Sequence, residues 1–146
     1  MPGERLYLDT SGPYKISFGG SNYWFMAVDD ATRYKYTGFG KHKSDIGEFA
    51  ISVFNKVKSA NHTVKFVRCD NAGENVNQLQ DACEGITGIT MEYTAPYTPE
   101  QNGVVERAFA SVRNRGYALM IDARLTKAAK GNCGVKSWMQ RQAWPI

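Results

Sequence analysis

Three acidic residues sit where a chain places reactive groups. Asp9 closes a run of strand formers over residues 5–10, and Asp70 closes a second such run over 64–69. Glu106 falls in the first turns of a helix that follows a loop with two prolines, residues 95–103. Strand ends that open onto loops are where α/β sheets present functional groups. Three carboxylates brought together repel one another unless a cation joins them. Mg²⁺ suits such a set, because it takes one or two carboxylates and fills its shell with water and phosphate oxygen. Two such ions about 4 Å apart can clamp the attacking and leaving oxygens of an in-line phosphoryl displacement. Taken singly, each acid has a plainer reading. Asp9 and Asp70 could be turn formers, and Glu106 a first-turn acid favoured by the helix dipole. Asp29 and Asp30 also follow a strand, but Asp30-Ala31-Thr32-Arg33 reads as a turn carrying a local ion pair.

The elements that must position these acids follow from hydrophobic period. Residues 22–28 form a nearly continuous apolar run, the pattern of a strand covered on both faces. Residues 33–39, with Tyr34, Tyr36 and Phe39, read as a third strand, so the first three strands form an antiparallel meander. Ile46, Phe49, Ala50, Val53, Phe54 and Val57 mark one face of a helix, with Ser44 as its expected N-cap and residues 60–62 as its end. A strand over 64–69 after that helix implies a crossover to a parallel neighbour. If that neighbour is the first strand, Asp9 and Asp70 meet. A short helix from Asn75, a short strand over 89–93 and a helix from near Asn102 follow. Val105, Ala108, Phe109 and Val112 form the apolar face of that last helix. Gly116 is expected to end or bend it, with more helix over 118–130 and 135–144. The order predicts an α/β fold with a mixed five-stranded sheet flanked by helices.

Composition narrows the classes. The chain has 146 residues, 42% hydrophobic and 22% charged, ordinary for a globular domain with a real core. No apolar stretch approaches the ~20 residues of a bilayer-spanning helix, and the first residues lack the pattern of a secretory leader. No membrane association and an intracellular location are expected. Cys69, Cys83 and Cys133 form no CxxC pair, and His42 and His62 have no ligand spacing, so neither a disulfide framework nor a zinc site is expected. Net charge is +4 and uneven: from Arg107 onward eight Lys and Arg face a single acid, Asp122. That balance suits a phosphate backbone, and equally a solvated helical surface.

The motifs together carry a resemblance. Asp70-Asn71-Ala72-Gly73-Glu74, then Tyr97-Thr98-Pro99-Glu100-Gln101-Asn102-Gly103-Val104-Val105-Glu106-Arg107, closely resembles the integrase catalytic core of copia-type retrotransposons, within the retroviral integrase superfamily. Residues 71–105, 35 in all, separate Asp70 from Glu106, the spacing of that family's acidic triad. Leu8 to Pro13 resembles its first-acid segment, and Phe25 to Tyr34 its second and third strands. The resemblance implies an RNase H-like fold and DNA strand transfer, in which a 3′-hydroxyl of element DNA attacks a target phosphodiester. It implies Asp9, Asp70 and Glu106 as catalytic, metal-holding acids for Mg²⁺ or Mn²⁺, with two ions when DNA is bound. Asp9 and Asp70 would share one ion, Asp9 and Glu106 the other. Gln101 and Asn102 would lie near DNA, and Arg113, seven residues after Glu106, could reach a phosphate. The implied partners are element ends, target DNA and a second copy of the chain, in a dimer or higher oligomer, with nuclear action at integration. The family's zinc-binding N-terminal domain and its C-terminal extension are not among these residues, so residues 1–146 are expected to be one domain of a longer polyprotein. Two rivals remain open: an RNase H-type nuclease, which would need Asp29 or Asp30 as a fourth acid, and a non-catalytic DNA-binding or self-associating domain.

Overall fold

Alternation along the first strand sorts the molecule into layers. In the computed structural model, which describes residues 1–17, 19–70, 75–86, 88–93 and 99–124, β1 spans Arg5–Ser11. The side chains of residues 75, 76 and 99–102 lie outside that description. β2 (Tyr23–Asp29) runs antiparallel to β1, with Asp9 opposite Met26. β3 (Lys35–Gly40) runs antiparallel to β2, completing the meander. A single 3₁₀ turn, Lys43–Asp45, leads into α1 (Ile46–Ser59). The chain then returns as β4 (Phe66–Cys69), parallel to β1 with Tyr7 opposite Arg68. α2 (Asn75–Glu84) and β5 (Thr90–Tyr93) follow, β5 parallel to β4. The sheet order is β3-β2-β1-β4-β5, and the helix α3 (Pro99–Asp122) closes the described chain.

Period-2 side-chain alternation gives the sheet two apolar faces. On one, Leu6, Leu8, Phe25, Ala27 and Val67 pack with Ile46, Ala50, Val53, Phe54 and Val57 of α1 and Leu79 and Cys83 of α2. On the other, Tyr7, Trp24, Met26 and Val28 pack with Val105, Ala108, Phe109 and Met120 of α3. Trp24 anchors this second layer, edge-on to Phe109 with ring centroids 4.8 Å apart. Cys69 and Cys83 are buried free thiols of the first layer. No described helix is long and apolar enough to cross a membrane.

Three local expectations need correction. Ser44 does not cap α1; Asp45 holds that position, and its Oδ2 accepts from the Lys41 and His42 amides at 2.9 and 3.0 Å. Gly116 neither ends nor bends α3. It is buried, and one turn later Met120 is 1% exposed in the second layer, so packing offsets the ~1 kcal/mol intrinsic cost of a helical glycine. The helix also starts earlier than Asn102, at Pro99, whose missing N–H is no loss in a first turn. It stops at Asp122, where Arg124 takes a left-handed φ of 51°; expectations for residues 125–146 lie outside the described residues. The end of α1 is as expected: Asn61 is left-handed (φ 59°), and the His62 amide donates to the Val57 carbonyl at 3.1 Å, closing the helix in a Schellman pattern.

Candidate active site

The alternation that buries Leu6 and Leu8 against α1 turns Tyr7 and Asp9 to the α3 side of β1. On β4, Val67 and Cys69 face α1 and α2, and Arg68 faces the other way, its guanidinium 5.7 Å from the Tyr7 ring centre. Asp70 shares Arg68's parity and is exposed just beyond the strand. The parallel register, continued two residues past Tyr7 and Arg68, sets Asp9 beside Asp70 on neighbouring strands, which lie ~4.8 Å apart. The third acid comes from the helix on the same face: Val105, Ala108 and Phe109 of α3 are buried against the sheet, and Glu106 is exposed between them.

Electrostatics ties the three together. The half-buried Asp9 carboxyl is pushed up to about 6, chiefly by burial, with further upward pressure from the charges of Asp70 and Glu106. The Thr10 amide, which donates to Asp9 Oδ1 at 2.7 Å, and the Lys43 ammonium pull it the other way. Asp70 and Glu106 therefore both lie within electrostatic reach of Asp9. Neither forms an ion pair with another described residue. Among the described residues no three His, Cys, Asp or Glu side chains stand close enough to enclose an ion as they are. The donor set nonetheless fits Mg²⁺ or Mn²⁺ in kind. All are hard oxygen ligands, and a partly buried carboxylate under like-charge pressure lacks the counter-charge that a divalent ion supplies.

Asp29 and Asp30 are occupied elsewhere. Asp29 is 2% exposed and accepts from the Gly3 amide at 2.8 Å and from the Thr32 amide and hydroxyl at 2.9 and 2.5 Å, which hold its carboxyl below the usual range despite burial. It pairs with Leu6, at the end of β1 remote from Asp9. Asp30 pairs with Arg33 at 3.4 Å, the local turn pair expected, and accepts from the Tyr7 hydroxyl at 3.2 Å. Arg113 is exposed on α3, two turns beyond Glu106. Gln101 and Asn102 belong to the first turns of α3, but their side chains lie outside the described residues. Residues 71–74 and 97–98 of the motifs also lie outside them.

Sequence reasoning passed over Lys43 as a neighbour of Asp9. The available signal was positional: Lys41-His42-Lys43 directly follows β3, and a three-stranded meander brings the end of β3 to the same end of the sheet as Asp9.

Comparison with known proteins places the chain. No family model matches it. It is 31% identical over 135 residues to the retrovirus-related Pol polyprotein of transposon TNT 1-94 from Nicotiana tabacum, covering 88% of this chain and 10% of that protein. It is 30% identical over 128 residues to the Pol polyprotein of transposon RE1 from Arabidopsis thaliana, covering 86% and 8%. The chain thus spans about a tenth of the length of the curated relatives it matches. Among solved structures, the catalytic core domain of BIV integrase superposes with a TM-score of 0.56 at 19% identity, covering 89% of this chain and 80% of that one. The HTLV-2 integrase catalytic core in complex with magnesium, in a dimeric form, gives 0.57 at 16%, covering 92% and 84%. A chain of the simian T-cell lymphotropic virus intasome gives 0.66 at 20%, covering 86% and 44%. These likenesses establish the fold as that of a retroviral integrase catalytic core, RNase H-like. The chain is homologous to a segment of retrotransposon Pol polyproteins and has the fold of a retroviral integrase catalytic core domain.

Proposed function

We propose that this domain catalyses metal-dependent DNA strand transfer, joining 3′-hydroxyl ends of element DNA to target DNA, as one part of a longer polyprotein acting in the nucleus. The observation that carries this reading is the placement of Asp9. It is a half-buried acid at the C-terminal end of β1, pressed by Asp70 and Glu106 from two other elements. Asp9 would be the carboxylate common to both ions, with Asp70 and Glu106 completing the set. Two divalent ions, Mg²⁺ or Mn²⁺, would supply charge neutralisation at the phosphate and activation of the attacking hydroxyl. The protein's own task is placement. The β1–β4 register sets the first two carboxylates, and the Val105–Phe109 face seated on Trp24 sets the third. Arg113, Gln101 and Asn102 would hold DNA phosphates and bases along the helix that carries Glu106. A second copy of the chain is the expected partner.

The test is nicking and strand transfer of labelled duplex DNA in Mg²⁺ or Mn²⁺, with Glu106→Gln as the decisive variant. Activity should fall by on the order of 10²-fold or more, because an amide is a far weaker ligand. Equal activity in a metal-free preparation, or an undiminished rate in Glu106→Gln, rules the mechanism out. The hydrolytic RNase H-type reading is weaker. Its fourth acid would be Asp29, committed to a turn opposite Leu6, or Asp30, committed to Arg33 and Tyr7.

A further inference from the structure

A basic cleft opens at the end of the sheet that carries Asp9. It has a volume of about 520 Å³ and is walled by Asn22 and Tyr23 where β2 begins, by Lys41, His42 and Lys43 after β3, and by Gln78 of α2. The topology fixes its location. Tyr23 pairs with Gly40 and Ser11 with Trp24, so this rim and Asp9 share one end of the sheet. The loop is built rather than loose. Asp45 turns its carboxylate onto the Lys41 and His42 amides and so fixes the backbone of the segment that carries both lysines. Gly40 makes room for that hook: a Cβ there would lie 2.7 Å from both Asp45 Oδ2 and the Phe25 ring. Among the described residues no acid forms an ion pair with Lys41 or Lys43. Two lysines outside any ion pair on an open concave wall are the chemistry of a site for a multiply oxygenated anion.

We propose that this cleft is a phosphodiester subsite for DNA, with Lys41 and Lys43 as the phosphate-binding groups that lead the strand to Asp9, Asp70 and Glu106. The proposal rests on the strand-transfer reading for the identity of the anion. Lys43 is the link between the two sites. It is half-buried, lines the cleft, and is near enough for its charge to act on Asp9.

The test is fluorescence anisotropy of labelled DNA in EDTA, where turnover cannot interfere, across a salt series. Two probes are used, a blunt duplex and one with a recessed 3′ end, with wild type, Lys41→Gln/Lys43→Gln, and Lys58→Gln, an exposed lysine in the last turn of α1, as the charge control. The double variant should bind about tenfold more weakly at moderate salt, and its log–log salt slope should be shallower by about 2, one counterion release per lost phosphate contact. Lys58→Gln should leave both quantities unchanged. An equal loss on both probes assigns the subsite to target DNA, and a larger loss on the recessed probe assigns it to the element end. Unchanged affinity and slope in the double variant, or an equal loss in Lys58→Gln, overturns the proposal. If the double variant melts early, Lys41→Gln alone, on an exposed side chain, should show half the slope change. The failures separate cleanly. Glu106→Gln with undiminished turnover sinks the catalytic reading and leaves the binding result standing, whereas normal binding by the lysine variants sinks the subsite alone.

Discussion

Asp9 carries a charge that its surroundings do not favour. Burial and two neighbouring acids raise its carboxyl to about 6 in the folded chain. A group whose folded pKa is raised stabilises the fold fully below its unfolded pKa, near 4, and loses that contribution as pH rises through about 6. In EDTA, Asp9→Asn should therefore be more stable than wild type at pH 7–8, by ~1–3 kcal/mol, and no more stable near pH 4. The asparagine keeps an oxygen for the Thr10 amide. Urea melts at the two pH values check this, and a gain that is the same at both would refute it. The individual acids were legible in the sequence only in part. A strand-end Asp is usually a turn former, and Asp29 is one, so type and position alone could not separate Asp9 from Asp29. The 35-residue spacing and flanking motifs separated them, and the structure supplies the physical difference. The Gly3 amide and the Thr32 amide and hydroxyl donate to the Asp29 carboxylate, whereas Asp9 has the Thr10 amide, with two acids and the Lys43 ammonium nearby.

At the scale of elements, the least supported strand is β5, only four residues long. Its clamp is Glu92, which accepts from Arg68 on β4 at 2.8 and 3.0 Å and from Arg5 on β1 at 3.0 Å. The two guanidiniums also lie over aromatic rings, Arg5 on Phe66 and Arg68 on Tyr7. These groups are partly shielded, so the network outweighs an exposed pair, and removing its centre leaves two cations facing each other. Glu92→Ala should cost ~1–3 kcal/mol in a urea melt, and Glu92→Gln less. Loss of only a few tenths would show that β5 is held by its ladder and by Met91 instead. Strands and helices were mostly legible because their periods are strong, as in β2 and α1. The errors have a common cause. Gly116 and Ser44 were read by local propensity, and in both places a longer-range contact decides: Met120 seated under the sheet, and Asp45 hooked onto the preceding loop. The Lys41–Lys43 rim was invisible for the same reason, since its neighbours are distant in the chain.

The whole molecule is a sheet with a different apolar layer on each face, and the acids sit where three elements end or cross rather than inside either layer. On the proposed function, such a site would be tightened by a bound divalent ion. Saturating Mg²⁺ or Mn²⁺ should raise the melting temperature of wild type by roughly 3–5 °C over EDTA at neutral pH. The rise should shrink below pH 6, as protons compete for Asp9, and should be lost in Asp9→Asn. Scanning fluorimetry across pH measures this, and an equal rise in Asp9→Asn would place the ion elsewhere.

The parity of β1 carries one more consequence, for which changes in length the chain can inherit. Residues 5–9 place alternate side chains in opposite layers, and Asp9 belongs to one of them only by count. One residue inserted or deleted between Arg5 and Asp9 would swing the carboxylate into the α1 layer, breaking up the acid set and the packing together. Length variation among active descendants should therefore be absent from the segment Arg5 to Asp9.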